Sequence, residues 1–505
     1  MKIILTFIVA SLLSFSGIVS SQTHQKKMYG EEHRPQFHFS PPQKWMNDPN
    51  GMVYLNGVYH LFYQHYPDST VWGPMHWAHA TSVDLIHWKN EPVALYPDSL
   101  GYIFSGSAVV DKKNTTGFGK DGKIPLVAVF THHDPKDQSE KRENQSIAYS
   151  LNEGKTWTKY AGNPVLKNPG IIDFRDPKVM WYEKEQKWVM TLATKDRVTF
   201  YSSPNLKEWK KESEFGENVG AHGGVWECPD LFPLTLNGNP YWVLVVSINP
   251  GGPNKGSATQ YFVGDFNGSK FTPVNTKTKW VDWGADNYAG VTWSNTGNRK
   301  IFLGWMSNWL YANVVPTKVW RSAMTIPRRL ALKAVGNELF LTSKPVKELD
   351  KITFPITELR RLKSTERLDL SGKIKNTGSK FKLLLEAKEL ADYSIILSNS
   401  LGEELTIGFD KKSNNYFIDR SKAGKTSFES NFVTKHTAPR VSTQRSTNLT
   451  LLVDVASVEV FADDGLSVMT DICFPNKPWE SLSIVSSAGW IIDRVKVAGF
   501  KSIWH

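Results

Sequence analysis

The chain has 505 residues, 40% of them hydrophobic and 12% aromatic, which is ample for packed cores and excludes wholesale disorder. That length exceeds one ordinary domain and implies two. The formal net charge of +11 invites a nucleic-acid reading, but the basic residues do not form one block with interleaved aromatics, and the densest stretch, Lys344 to Lys382, is broken by acids throughout, so a solvated basic surface is expected and nucleic acid is rejected as a partner.

In chain order, Met1 to Ser21 reads as a signal peptide. Lys2 supplies the positive start, Ile3 to Leu13 the apolar run, and Val19-Ser20-Ser21 the small-residue cleavage site. No later stretch is long and apolar enough to span a membrane, so the mature protein is expected to be soluble and exported, to a periplasm or beyond the cell. The two cysteines, Cys228 and Cys473, are too few for a disulfide framework and are expected free and buried. Nineteen tryptophans are enough both to fill cores and to stack on sugar rings.

From about Phe37 to Leu341 short strands and turns dominate, and a unit recurs. Trp45-Met-Asn-Asp-Pro-Asn-Gly51 leads into two strands about an Asn56-Gly57 turn; Asp176 precedes a second such pair, and Glu227 a third that turns at Asn237-Gly238. Phe104 to Val110 and Tyr288 to Met306 complete the set. A polar tip closed by an aromatic follows most units, as in Ser82 to Trp88, Ser150 to Trp157, Ser203 to Trp209 and, more loosely, Asp265 to Phe271. Units about 50 to 70 residues apart match four-stranded propeller blades, so residues 30–342 are expected to form a five-bladed β-propeller.

Thr342 to Leu349 reads as a connector. Beyond it, alternating strands such as Phe381 to Glu386, Leu449 to Asp454 and Val458 to Phe461 imply an all-β partner, a β-sandwich over 350–505 with an accessory role. This half carries no cluster of acids and aromatics.

In a propeller the innermost strands converge on one channel, so acids at their starts meet there. Asp48, Asp176 and Glu227 stand at three such starts. Carboxylates sharing a pocket cannot all ionise at their free values, and the resulting acid beside an ionised group suits cleavage of a glycosidic bond. Asn47, Gln64, Ser105 and Arg175 are placed to bind hydroxyls, and Trp45, Trp72, Phe104 and Trp309 to offer faces. His76, His79 and His132-His133-Asp134 lack metal-ligand spacing, so no metal and no cofactor is expected. Asp286 is equally compatible with a structural and a substrate-contacting role.

Trp45 to Gly51, Phe104 to Ser107, Phe174-Arg-Asp-Pro177, Trp226-Glu-Cys-Pro-Asp230 and Gly304 to Trp309 together resemble family 32 of the glycoside hydrolases, the invertases, inulinases, levanases and fructan exohydrolases. Pro316 to Ser322 and Ser457 to Phe461 are similar to it too, so the resemblance spans the mature chain. It implies a five-bladed propeller followed by a β-sandwich. It implies Asp48 as nucleophile, Glu227 as acid/base, Asp176 beside Arg175 as a fructose-binding stabiliser of the transition state, and Trp305 or Trp309, or both, in the fructose pocket. The implied reaction is retaining hydrolysis of terminal β-fructosyl units of fructans, and of sucrose, with the Asp48 and Glu227 carboxyls about 5 to 5.5 Å apart. Endo-action or fructosyl transfer on the same scaffold, an inverting pentosidase and a non-catalytic fructan binder are the alternatives. Linkage preference and oligomeric state are left open by the sequence.

Overall fold

A computed structural model describes residues 28–504. The signal-peptide reading of Met1 to Ser21 therefore lies outside the described residues, among which no helix is long and apolar enough to cross a membrane. The protein is all-β, a five-bladed β-propeller followed by a β-sandwich.

Each blade is an antiparallel sheet laid out in chain order. The innermost strands are β1 (Lys44–Leu55), β2 (Tyr102–Val110), β3 (Phe174–Tyr182), β4 (Val225–Leu236) and β5 (Tyr288–Thr292). Each contacts the next and β5 returns to β1, so the ring is closed. Trp320–Arg321 fastens the closure by pairing in parallel with Lys44 and Trp45.

The turn chemistry follows the sequence. Asn56-Gly57 has φ of 48° and 87° and Asn237-Gly238 has 50° and 83°, both residues left-handed as a tight hairpin requires. At three blade tips the closing tryptophan donates its indole N–H back across the turn at 3.1 Å: Trp88 to Leu85, Trp157 to Gly154 and Trp209 to Leu206. The fourth tip ends in Phe271, which has no such donor, and Asn267 holds it instead by accepting from the Ser269 and Lys270 amides.

One expectation changes. Residues Thr342 to Pro345 are not a connector but the end of strand Glu338–Pro345, the outer edge of blade five, and the passage to the sandwich is the short turn Lys347–Ile352. The sandwich stacks two six-stranded sheets over a core that includes Leu383, Leu385, Ile395, Ile407, Leu451 and Val460. Strand Phe381–Ala387 shows the alternation that builds it, every second side chain being buried.

The sandwich is joined to the propeller by buried charge. Along Ser457–Ala462, Val458 and Val460 enter the sandwich core while Glu459, between them, turns to the propeller and binds Arg328 and His38. Arg328 also holds Asp282 at 2.8 Å. Asp286 accepts from Arg420 at 2.7 Å, from the Tyr311 hydroxyl at 2.7 Å and from the Ile472 amide at 2.9 Å. Its role is structural, a pin between the two halves.

His38 makes this interface sensitive to pH. Burial opposes its charge, but its bonds to Asp454 and Glu459, both 2.8 Å, win and lift its pKa from 6.5 to about 9. A raised folded-state pKa contributes stability that is complete below pH 6.5 and lost as pH rises through about 9. The shift corresponds to on the order of 3 kcal/mol. Urea midpoints are expected to fall between these limits in the native protein, with most of that slope absent from His38→Asn; equal slopes in the two would contradict the assignment.

Candidate active site

The channel opens at the leading ends of β1 to β4 into a pocket of about 400 Å³. All five inner strands carry a register irregularity at this end, where two residues face one on the neighbouring strand: Asn47-Asp48, Phe104-Ser105, Asp176-Pro177, Cys228-Pro229 and Ala289-Gly290. A bulge re-aims side chains that regular pleating would send to alternate faces. In three blades the first bulged residue is left-handed without being glycine: Asp176 (φ 64°), Cys228 (47°) and Ala289 (52°). Such backbone strain persists where the surroundings enforce it, and it concentrates at working sites.

Asp48 and Asp176 lie within their bulges, whereas Glu227 is the last regularly paired residue before its own. It shares that place with Arg175 and Tyr288. The three acids thus converge from three consecutive strand positions: Glu227 just before its bulge, Asp176 first within its bulge and Asp48 second within its own.

Asp48 is held by three donors. Ser105 Oγ donates to its Oδ2 at 2.7 Å and Asn47 Nδ2 to its Oδ1 at 2.9 Å, while Cys228 Sγ lies 3.6 Å from Oδ2. The same sulfur is 3.5 Å from Asp176 Oδ2, which also accepts the Cys228 amide at 3.0 Å. Cys228 is therefore the contact between the two aspartates. Burial, with Asp176 adding to it, pushes its thiol far up, so it serves as a neutral donor.

Glu227 is gripped from both sides. Arg175 donates to Oε1 from Nε at 3.1 Å and Nη2 at 3.0 Å, and the Tyr288 hydroxyl donates to Oε2. Arg175 is fixed by Asp173 at 2.6 Å and by Glu143 at 3.2 Å. Burial raises the Glu227 pKa above the usual carboxylate range; Arg175 and Tyr288 oppose that, and the Asp48 charge adds to it. Asp176 is raised as well, first by burial and next by the Glu227 charge, with Arg175 opposing. Both acids therefore hold their protons to higher pH than free carboxyls do, beside a permanently charged guanidinium, an arrangement that suits acid/base chemistry.

Of the other residues singled out from the sequence, Asn47, Gln64, Trp72, Phe104, Ser105, Arg175 and Trp309 line the pocket. Gln64 sits opposite the first bulge, and its Nε2 has no hydrogen-bond partner among the described residues. Trp72, 42% exposed, meets Phe104 edge to face at the rim, its amide held by Asn313 Oδ1 at 3.0 Å.

Trp45 and Trp305 are placed differently from the expectation. Both are 0% exposed and stand behind the wall. The Trp45 indole donates to Asn47 Oδ1 at 2.7 Å and that of Trp305 to the Met46 carbonyl at 3.1 Å, and both pack around Trp309. Their N–H groups are committed to the backing of β1, so they support the pocket rather than face it.

Sequence reading missed Tyr288, Cys228, Glu143, Asp173, His133 and Asn313. Tyr288 and Cys228 were legible as neighbours of Asp286 and Glu227 but carried no signal of their own. His133 stacks on Phe104 with centroids 4.3 Å apart and bonds Glu143 at 3.2 Å, a rim role that its sequence spacing did not specify.

A five-bladed propeller whose axial pocket gathers carboxylates around one arginine suits acid/base cleavage of a glycosidic bond, and comparison with known proteins agrees. The sequence profile of the glycosyl hydrolases family 32 N-terminal domain matches residues 38–345, and that of the family's C-terminal domain matches 348–503. The chain is 45% identical to a levanase of Bacillus subtilis (strain 168), over 100% of this chain and 75% of that protein. It is 41% identical to an extracellular exo-inulinase of Aspergillus niger, over 94% and 96%. The crystal structure of exo-inulinase from Aspergillus awamori superposes with a TM-score of 0.87 at 39% identity, covering 94% of this chain and 100% of that one. The protein is a glycoside hydrolase and belongs to glycosyl hydrolases family 32.

Proposed function

We propose that the protein is an exported, exo-acting β-fructofuranosidase that removes terminal β-fructosyl residues from levan, inulin and sucrose with retention of configuration. The observation that carries this reading is the gathering of Asp48, Asp176 and Glu227 with Arg175 on one pocket at the end of the propeller channel. Export is supported by the apolar segment after Lys2 and by the relative described as extracellular.

Asp48 attacks the anomeric carbon of the bound fructosyl unit. Its lone pair forms the new C–O bond as the glycosidic C–O bond breaks, and the leaving oxygen takes the proton of Glu227. Water then enters from the leaving-group side, gives its proton to Glu227 and displaces Asp48. Asp176, Asn47 and Gln64 bind the ring hydroxyls, and Arg175 holds Glu227 in place between the two steps. Trp72, Trp309 and Asn313 close the rim around a chain end, which favours release of one fructose at a time.

The products test this directly. Levan, inulin and sucrose are each incubated with the protein and sampled over time. Free fructose from the first samples onward is expected; early oligosaccharides would assign endo-action, and chains longer than the substrate would assign transfer.

Tyr288 supplies a pH prediction. Its hydroxyl stabilises the charged form of Glu227 and so holds the Glu227 pKa down. In Tyr288→Phe that pKa rises further and the protonated acid survives to higher pH. The alkaline limb of the kcat/KM profile is therefore expected to move up, and an unmoved or lowered limb would remove Tyr288 from this role.

A further inference from the structure

Arg175 has two edges, and each faces acid. Nε and Nη2 donate to Glu227 Oε1 at 3.1 and 3.0 Å. Nη1 serves a different pair, Asp173 Oδ1 at 2.6 Å and the two oxygens of Glu143 at 3.2 and 3.3 Å. Glu143 opens the third strand of blade two (Glu143–Ser150), and Asp173 stands just ahead of β3. Two blades thus supply counter-charge to a guanidinium that grips the acid of a third. Neither outer acid bonds Asp48, Asp176 or Glu227 among the described residues.

Glu143 is locked where it stands. It is 2% exposed, its Oε2 accepts the Phe174 amide at 2.8 Å, and its Oε1 lies 3.2 Å from His133 Nδ1. Burial opposes its charge, but Arg175 and His133 outweigh burial and hold its pKa at about 2, so it is ionised throughout the range in which Glu227 titrates. Asp173 sits at φ 57°, a left-handed conformation that Asp and Asn adopt more readily than most residues. A guanidinium on one carboxyl oxygen favours the ionised form of that carboxyl, the wrong state for a general acid. With nothing on its other edge, Arg175 would hold Glu227 firmly and strip it of its proton.

We propose that Glu143 and Asp173 are positioning residues that offset the Arg175 charge from its far edge, so that Arg175 orients Glu227 without driving off its proton. The proposal rests on Glu227 as the acid/base. The groups that act on Glu227 are Arg175, Tyr288 and Asp48; those on Glu143 are Arg175 and His133; those on Arg175 are Glu143, Glu227, Asp173 and Asp176. Removing a negative charge from this set, with Arg175 still in place, favours ionised Glu227 and lowers the pH at which its proton is lost.

The test is the pH profile of kcat/KM on sucrose for Glu143→Gln and Asp173→Asn, with thermal unfolding to show that each is folded. Both changes are isosteric: Gln still accepts the Phe174 amide, and Asn suits the left-handed backbone at 173. In each variant the alkaline limb is expected to move down by about half a pH unit or more, opposite to Tyr288→Phe. If the outer acids only hold Arg175 still, losing one loosens the grip on Glu227, and the limb moves up instead. An upward or unmoved limb in a folded variant overturns the proposal, and the two variants test it independently. Glu227→Gln separates the two levels of the argument. A limb that persists there with full sucrose turnover removes the acid role of Glu227, and this proposal with it. A limb lost there but unmoved in both outer variants overturns this proposal alone.

Discussion

Asp48→Asn is expected to lower kcat on sucrose and levan by about 10⁴-fold or more while leaving Tm nearly unchanged. The amide is isosteric, and its oxygen still accepts from Ser105 or Asn47, which now hold Asp48 Oδ2 and Oδ1 at 2.7 and 2.9 Å. What it lacks is a nucleophilic lone pair at an anionic oxygen, so the covalent step has no substitute within reach. Of the two other nucleophile types in contact with Asp48, Ser105 is a neutral hydroxyl that donates to it, and burial keeps the Cys228 thiol protonated. Removing one of several clustered acids also relieves repulsion, so the folded state loses little. Steady-state rates alongside thermal unfolding check both halves of the statement. Near-normal turnover in a folded variant would remove Asp48 from the nucleophile role.

Glu227→Gln is expected to cost about 10² to 10⁴-fold, the usual range for a general acid/base, but unevenly across substrates. Sucrose and levan leave as alkoxides unless protonated and suffer the full loss at the bond-breaking step. A β-fructofuranoside with a good leaving group needs no proton there, so its first step is largely spared and fructosyl-enzyme accumulates, because the second step lacks its base. The variant also leaves Arg175 with one fewer carboxylate partner; Asp173 at 2.6 Å and Glu143 at 3.2 Å keep the guanidinium in place, so the defect is chemical rather than structural. Comparing kcat/KM for sucrose and for an activated fructoside measures the difference. An equal loss on both would assign Glu227 to binding instead.

Much of the fold was legible because its signals are local. Asn56-Gly57 and Asn237-Gly238 dictate tight hairpins by backbone conformation alone, and the tip tryptophans encode a bond to a carbonyl three residues back. The recurrence of such units in one chain points to a propeller, since a single blade cannot bury both its faces. What was not legible is what depends on contacts distant in sequence. Thr342 to Pro345 reads as a connector because its Lys and Pro are poor strand formers, yet pairing with Arg328 to Ala331 makes it the edge of a blade. Glu459 looks like one polar residue of an alternating strand, and only the packed structure turns it toward Arg328 and His38 on the other domain.

The candidate site divides in the same way. Asp48, Asp176 and Glu227 stand out as acids placed at recurring strand starts, and the bulges bring them together. Trp45 and Trp305 carry the same composition signal as Trp309, and nothing local separates a ring that faces the pocket from one buried behind it. Tyr288 is one hydroxyl among 17 tyrosines, distinguished solely by its contact with Glu227 across the channel.

The measurement closest to the central claim is the anomeric form of the first fructose released, followed by NMR before mutarotation. A covalent intermediate on Asp48, formed and then displaced, involves two inversions at the anomeric carbon. The account predicts β-fructofuranose as the initial product from sucrose and from levan. Initial release of the α anomer would mean direct attack by water and would contradict the role given to Asp48.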